Sequence, residues 1–442
     1  MVMARSDRPS RDGDGARRAL LARMAARLRD SLREPEQVLA VLLVAAFVAR
    51  AAWLALPAAA LIFDEAFYVN AARTLLGWDV PDGAHYAGAA AGLDPNTEHP
   101  PLGKLLIAAS MAAVGDNALG WRLPSLIAGM IALGALYRIV RAAGESQWLG
   151  VLAVGLFALD NLAFVHGRIG TLDMMVLAPI LLGAWAALRE RWFTAGALTG
   201  LGLLVKLTAL YGLLALLVLL ALALVAVWRR EHRLRPVDLR PSALLLAGSL
   251  IVAGGGLWAL DLRFTTYTNP VDHVGRMLEY GAALTREGGP PEDCISNDST
   301  PWQWLVNDCE MRYLRVAETT TVEGKVTATH ASIDIRGAMN PVLLGAIAFA
   351  VPFSAWLAWR RRSRLATWSL VWMGASYLPY IALVLVGQRV TYIYYFLPVV
   401  PALGAAIALL LLRSGLPRIV LWGYVAAYIV GFAAYFPFRE IP

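Results

Sequence analysis

The chain has 442 residues, of which 58% are hydrophobic and only 16% charged, with a mean hydropathy of +0.57, whereas ordinary soluble domains carry about 25% charged residues. This composition excludes a soluble globular enzyme and reads as an all-α polytopic membrane protein. The net charge of +7 gathers in arginine clusters between apolar runs, a pattern that reports membrane topology and gives no reason to expect a nucleic-acid partner.

Residues 1–37 form a basic segment with no apolar stretch leading to a small-residue cleavage site, so it is expected to stay in the cytoplasm. Between residues 16 and 32, Leu, Met and Ala recur at helical spacing among arginines. That suits a helix lying on an anionic membrane surface, and equally a disordered basic tail. Apolar runs follow at 38–62, 121–140, 148–165, 174–188, 193–207, 209–228, 243–262, 341–359, 366–386, 393–412 and 419–436. They make about eleven spans, each near the length of about 20 residues that a bilayer requires.

With the amino terminus inside, the cytoplasmic joints carry Arg138 with Arg141, Arg189 with Arg191, the 229–240 cluster, the 360–364 cluster, and Arg413 with Arg418. Every even-numbered exit is therefore basic, as the positive-inside rule demands. The expected organisation is a cytoplasmic segment at 1–37, a transmembrane module at 38–262 with a first external loop at 63–120, an external region at 263–339, and C-terminal transmembrane helices at 340–442. The expected location is the cell membrane, with the functional site on its outer face.

The first external loop opens on the acidic pair Asp64-Glu65, at the point where the first apolar run leaves the membrane. Two carboxylates at a bilayer boundary are costly unless water or a cationic group meets them, so the pair reads as an active site. Residues 102–114 are apolar but too short to span, and are expected to lie along the interface. Asp160 falls inside the third run, where it is awkward unless it faces a cavity. The second external region is too small for an independent enzyme domain. It holds the only two cysteines, Cys294 and Cys309, expected to pair as a disulfide outside the cytoplasm. Its Trp302 and Trp304 read either as a membrane anchor or as an acceptor platform.

An attacking hydroxyl needs a positioned base, and a departing phosphate needs cations that meet its developing charge. Asp64 and Glu65 supply carboxylates. Positive or protonatable groups at the same predicted depth are His99, Lys104, Arg122, Arg168, Lys206 and Arg389. Arg168 and Asp173 are expected either to brace a loop as a pair or to touch substrate. Tyr392, Tyr394 and Tyr395 read as interfacial aromatics or as the wall of a sugar pocket. No cluster has metal-ligand spacing, and there is no phosphate-binding glycine loop and no nucleophilic triad.

Phe63-Asp64-Glu65-Ala66-Phe67-Tyr68, His99-Pro100-Pro101-Leu102-Gly103-Lys104, Gly120-Trp121-Arg122-Leu123-Pro124-Ser125, the stretch from Arg168 to Asp173, Leu203-Leu204-Val205-Lys206, Asn340-Pro341 and the stretch from Tyr394 to Pro401 resemble, in this order, the protein O-mannosyltransferase family. The likeness runs from about residue 38 to residue 412. It implies a multispan GT-C fold and an inverting glycosyltransferase that takes mannose from a polyprenyl or dolichyl phosphate and delivers it to Ser or Thr hydroxyls of exported proteins. In the family the Asp of the acidic pair is taken as the base, which here is Asp64, with Glu65 orienting the acceptor or loop. Arg122 matches a functionally needed arginine. Donor-phosphate or site-organising roles for His99, Lys104, Arg168, Asp173, Lys206, Arg389 and Tyr394 are inferred from sign and depth.

Two departures from the family pattern stand out. Ala66-Phe67-Tyr68 follows the acidic pair in place of the His-Phe-Gly of many eukaryotic members, and the large external domain of those members is missing. Both point to a compact bacterial member. They keep a lipid or cell-wall glycan acceptor open beside a protein one. Nothing in the sequence requires a cofactor, and a divalent cation, Mg or Mn, bridging a carboxylate and the donor phosphate is compatible with it. A transporter or lipid flippase would show internal repeats and polar residues at mid-membrane depth; no convincing repeat is found, and the charged residues concentrate at one face instead.

Overall fold

The computed structural model describes residues 34–286, 294, 298–322 and 325–438. Residues 1–33, including the amphipathic stretch read from the sequence, lie outside them. The chain is a bundle of apolar helices whose irregular connections gather at one end. Among the described residues, four helices are long and apolar enough to cross a membrane: Ala118–Ala142, Ala209–Glu231, Pro236–Phe264 and Arg364–Gly387. Helix length and composition by themselves pick out four of the about eleven expected spans. The other apolar helices are shorter, among them Gln147–Ala158, Leu172–Leu188, Val399–Arg413 and Arg418–Ala434.

The difference has local physical causes. The first apolar helix, α1, covers Pro35–Ala51, and residues 52–64 leave it as irregular backbone. Carbonyls freed there are collected by two buried guanidiniums: Arg168 donates to Ala52 and Trp53, and Arg122 to Leu54, Leu56 and Ala60. The third run breaks at Asp160 into Gln147–Ala158 and Asn161–His166. The Asp160 carboxylate accepts from the Ala163 amide (3.0 Å) and, across the bundle, from the Asn340 amide (2.9 Å). A helix-capping carboxylate satisfies orphan amides that the bilayer cannot, so Asp160 joins two segments and does not face the cavity. Another break, between Trp192–Leu203 and Ala209–Glu231, places Lys206 in the turn between two helices.

Small residues set the helix spacing. A Cβ added to Gly196 would lie 2.0 Å from the Leu245 carbonyl oxygen, so Trp192–Leu203 and the helix after Pro236 pack backbone to backbone, the usual device where lipid supplies no hydrophobic drive for association. Large apolar side chains remain exposed on outward faces, including Leu250, Ile251, Trp359, Ile419 and Trp422, as expected of surfaces solvated by lipid tails.

The segment 63–120 begins with α2, Glu65–Leu76, directly on the acidic pair, and carries α3, Leu102–Val114, the short apolar piece expected from the sequence. The region 263–339 carries the amphipathic helix Pro270–Ala283 and a two-stranded antiparallel hairpin, β1 (Met311–Val322) and β2 (Lys325–Gly337). The hairpin is the departure from an all-α chain among the described residues. Its run of Thr, Val and Ile suits a pleated surface. Cys294 and Cys309 are joined as a disulfide in the same region.

Candidate active site

Asp64 stands at the cap position of α2, and one turn along that helix Tyr68 donates to its Oδ2 at 3.4 Å. A cavity of about 710 Å³ opens beside it. One wall comes from the segment 63–120, with Phe63, Asp64, Phe67, Tyr86, Asn96, Glu98 and His99. Lys206 and Tyr211 enter from the start of helix Ala209–Glu231 and the turn before it; Arg389, Tyr392, Tyr394 and Tyr395 come from the segment after helix Arg364–Gly387. Leu207, Leu210, Leu278, Leu284 and Leu383 give the cavity an aliphatic side.

Five of the residues singled out in the sequence thus share one space: Asp64, His99, Lys206, Arg389 and Tyr394. All three tyrosines of the 392–395 segment line it, so none is a bare interfacial aromatic. Trp304 is fully buried, donating to Ser299 Oγ at 2.9 Å and packing against Tyr380 and Tyr395. It is a core residue, neither anchor nor platform, while Trp302 is exposed.

The other charged residues are spent on scaffold. Glu65 is fully buried behind the cavity wall and accepts four hydrogen bonds: from Arg122 Nε (2.8 Å) and Nη2 (3.1 Å), the Gly170 amide (2.7 Å) and the Ile62 amide (2.7 Å). Arg122, with its three carbonyl acceptors, has no donor free for a ligand. Lys104 is fully buried and holds Asp94 (2.7 Å) and the carbonyls of Asn96 and His99, folding the 94–99 loop around itself. Arg168 lies over the Phe438 ring at 4.5 Å. It does not pair with Asp173, which instead binds Lys206 at 2.8 Å; the two carbonyls at the end of α1 have taken the arginine.

Two participants were not singled out from the sequence. His166 lies within 3.5 Å of Asp173 Oδ2 through Nδ1 and within 2.9 Å of the Tyr313 hydroxyl through Nε2. Tyr313 comes from β1 and stacks on Phe63 at 4.6 Å. His166 is one of only six histidines and closes an apolar run two residues before Arg168, which is a usable signal. Tyr313 offers none, because its position depends on where the hairpin docks.

Electrostatics separate the two titratable groups on the first wall. Burial pushes the Asp64 carboxyl up to about 7, with Lys206 opposing and Asp173 reinforcing the rise. Burial, helped by the positive charges of Lys206 and Lys104, holds His99 well below the ordinary histidine value, so it is a neutral imidazole near pH 7. The site therefore offers a carboxylate basic enough to accept a proton near neutrality, a neutral hydrogen-bonding ring, and two cations. Among the described residues, the one grouping of three metal-ligand types is Cys294, Asp308 and Cys309, and its sulfurs are already bonded to each other.

A family model described as dolichyl-phosphate-mannose-protein mannosyltransferase matches residues 98–253. The chain is similar to the polyprenol-phosphate-mannose–protein mannosyltransferase of Corynebacterium glutamicum, at 26% identity over 77% of this chain and 75% of that one. It is 28% identical to the protein of the same name from Mycolicibacterium smegmatis, over 85% and 83% of the two chains. In fold it is similar to the Saccharomyces cerevisiae Pmt1–Pmt2 protein O-mannosyltransferase complex, with a TM-score of 0.66, 10% identity, and 92% and 90% of the chains covered. The chain is thus similar in sequence to bacterial protein mannosyltransferases and shares the multispan helical fold of a protein O-mannosyltransferase. ArnT from Cupriavidus metallidurans shares the fold at a TM-score of 0.53 and 20% identity over 90% of this chain and 63% of that one. Of the candidate site, the match to the protein O-mannosyltransferase model takes in His99 and Lys206 and leaves Asp64 and Arg389 on either side of it.

Proposed function

We propose that this enzyme transfers mannose from a polyprenyl-phosphate donor to Ser or Thr hydroxyls of exported proteins at the outer face of the cell membrane, with inversion at the sugar carbon and Asp64 as base. The observation that carries the reading is the convergence of Asp64, Lys206 and Arg389 on one cavity with an aliphatic side. The names of the C. glutamicum and M. smegmatis relatives supply the donor and the protein acceptor.

In this mechanism the donor's prenyl chain lies against Leu207, Leu210 and Leu383, and its phosphate faces Lys206 and Arg389. The acceptor oxygen attacks C1 of mannose while Asp64 takes its proton. The bond from C1 to the phosphate oxygen breaks, and the electron pair leaves with prenyl phosphate. Lys206 and Arg389 meet the charge that grows on the leaving group, the arrangement that contributes most to such transfers. His99, neutral, is placed to hydrogen-bond sugar or phosphate. Glu65 and Arg122 act at one remove by fixing α2 and the 54–60 backbone beneath Asp64. The amino terminus is cytoplasmic in this reading.

Purified enzyme in nanodiscs, given polyprenyl-phosphate mannose and a Thr-rich peptide, yields mannosyl peptide by mass spectrometry, and Asp64→Asn abolishes it. Mannose recovered only in the lipid or glycan fraction would transfer the proposal to that acceptor class. Full activity of Asp64→Asn would remove the base.

A further inference from the structure

We infer that Tyr313 and His166 are positioning residues that hold the catalytic carboxylate in place through Phe63, so that the external hairpin completes the active site from outside. This rests on the reading of Asp64 as base.

The residue before Asp64 is strained. Phe63 has φ +54°, a region that non-glycine residues occupy only when the surroundings impose it. Aromatic packing surrounds it: Tyr313 stacks on Phe63 at 4.6 Å with 19° between the planes, and Tyr394 meets it edge-on at 5.5 Å. Contacts continue from both partners and close on themselves. The Tyr313 hydroxyl lies 2.9 Å from His166, His166 lies 3.5 Å from Asp173, Asp173 pairs with Lys206 at 2.8 Å, and the Lys206 ammonium sits 5.4 Å from the centre of the Tyr394 ring.

Five segments distant in sequence thus form one ring around the backbone that carries Asp64. Tyr313 is the member supplied by the hairpin. The hairpin is built to admit it: a Cβ on Gly337 would lie 2.3 Å from the Tyr313 hydroxyl oxygen, so only glycine leaves room for the phenol at that strand end. Tyr313 does not line the cavity and acts on the carboxylate only through its neighbours. A reacting group held loosely by about 1 Å costs on the order of 100-fold in rate, which sets the scale of the expected effect.

The test is steady-state kinetics on full-length enzyme in nanodiscs, with donor and peptide varied separately. Tyr313→Leu is expected to lower kcat by about 10- to 100-fold while both KM values stay within about two-fold. Tyr313→Phe keeps the stack but loses the hydrogen bond to His166, so it is expected to lose only several-fold in kcat, as His166→Gln does, and less than Tyr313→Leu. Phe63→Leu combined with Tyr313→Leu is expected to be no worse than the poorer single variant, because both break one contact. Unchanged kcat in Tyr313→Leu, a loss confined to KM, or losses that multiply in the double variant would overturn the inference. Should Tyr313→Leu fail to fold, His166→Gln carries the test: it removes the imidazole under the phenol, a several-fold fall in kcat is expected, and no change overturns the proposal. Asp64→Asn run alongside separates the two ideas. An inactive Asp64→Asn with wild-type Tyr313→Leu sinks the positioning role alone, whereas an active Asp64→Asn sinks the base.

Discussion

Asp173→Asn should move the pH dependence of transfer toward acid. In the wild type Asp64 sits at about 7, roughly three units above the ordinary aspartate value of about 3.9. The base must be ionised, so log(kcat/KM) should rise with a slope of one up to about pH 7 and then level. Asp173 contributes to the rise in two ways: its own negative charge disfavours ionisation of Asp64, and it occupies Lys206 at 2.8 Å. Neutralising it removes a like charge worth about 1–2 kcal/mol in such a site and releases the ammonium toward Asp64, which together lower the inflection by about one unit or more. At about pH 6 the wild type keeps roughly a tenth of its plateau kcat/KM, and the variant about half of its own. Peptide mannosylation measured at subsaturating donor and acceptor across this range reads the shift directly. An inflection that stays put, or moves toward alkali, would show that Asp64 is not the group titrating.

Arg122→Met strips the buried Glu65 of its cation and should destabilise the folded enzyme by about 3–5 kcal/mol, seen as a lowered unfolding temperature in detergent; a stable but inactive variant would mean that Arg122 touches substrate. Arg389 lines the cavity and, among the described residues, has no side-chain hydrogen bond or ion pair, so Arg389→Ala should raise the donor KM by about tenfold, the value of one charge-assisted hydrogen bond, with thermal stability unchanged. Equal effects on donor and peptide KM would argue against a phosphate role. Chelation with EDTA should leave activity within about two-fold, because protein cations meet the leaving phosphate; restoration of a lost activity by Mg or Mn would place a metal there instead.

The candidate site was legible because charge is scarce in this chain, so each ionisable group near a span boundary stands out. Depth, however, carries no direction. Glu65 and Lys104 lie at the same level as Asp64 and Lys206 yet point into packed protein, and only the fold separates them. The helix breaks were hidden for another reason. Hydropathy averaged over a span-length window passes smoothly through Asp160 and through the loss of helix after Ala51, where side chains satisfy the backbone in place of a continuous helix. The hairpin had a readable signal, β-branched residues on both sides of Glu323-Gly324; its docking against Phe63 had none, since contact between residues 250 positions apart follows from tertiary packing alone.

The charges in this site divide by how completely they are neutralised, and the division has a chemical reason. An ion pair buried with every acceptor filled, such as Glu65 with Arg122, has already spent its attraction on the protein and would have to be broken to serve a ligand. A group that reacts must be left incomplete beside open volume. Asp64 has one long hydrogen bond, from Tyr68. Its nearest cation poses a danger, since an ammonium bound directly to Asp64 would return the carboxyl to its ordinary acidity and deprive it of basicity near neutral pH. Asp173 removes that danger by holding Lys206 from behind the cavity wall; in the proposed mechanism this leaves the positive charge to face a phosphate without quenching Asp64. One extra buried carboxylate thus lets a strong cation and an unquenched anion share a cavity of about 710 Å³, a requirement imposed by any reaction that must take a proton and stabilise an anion in the same step.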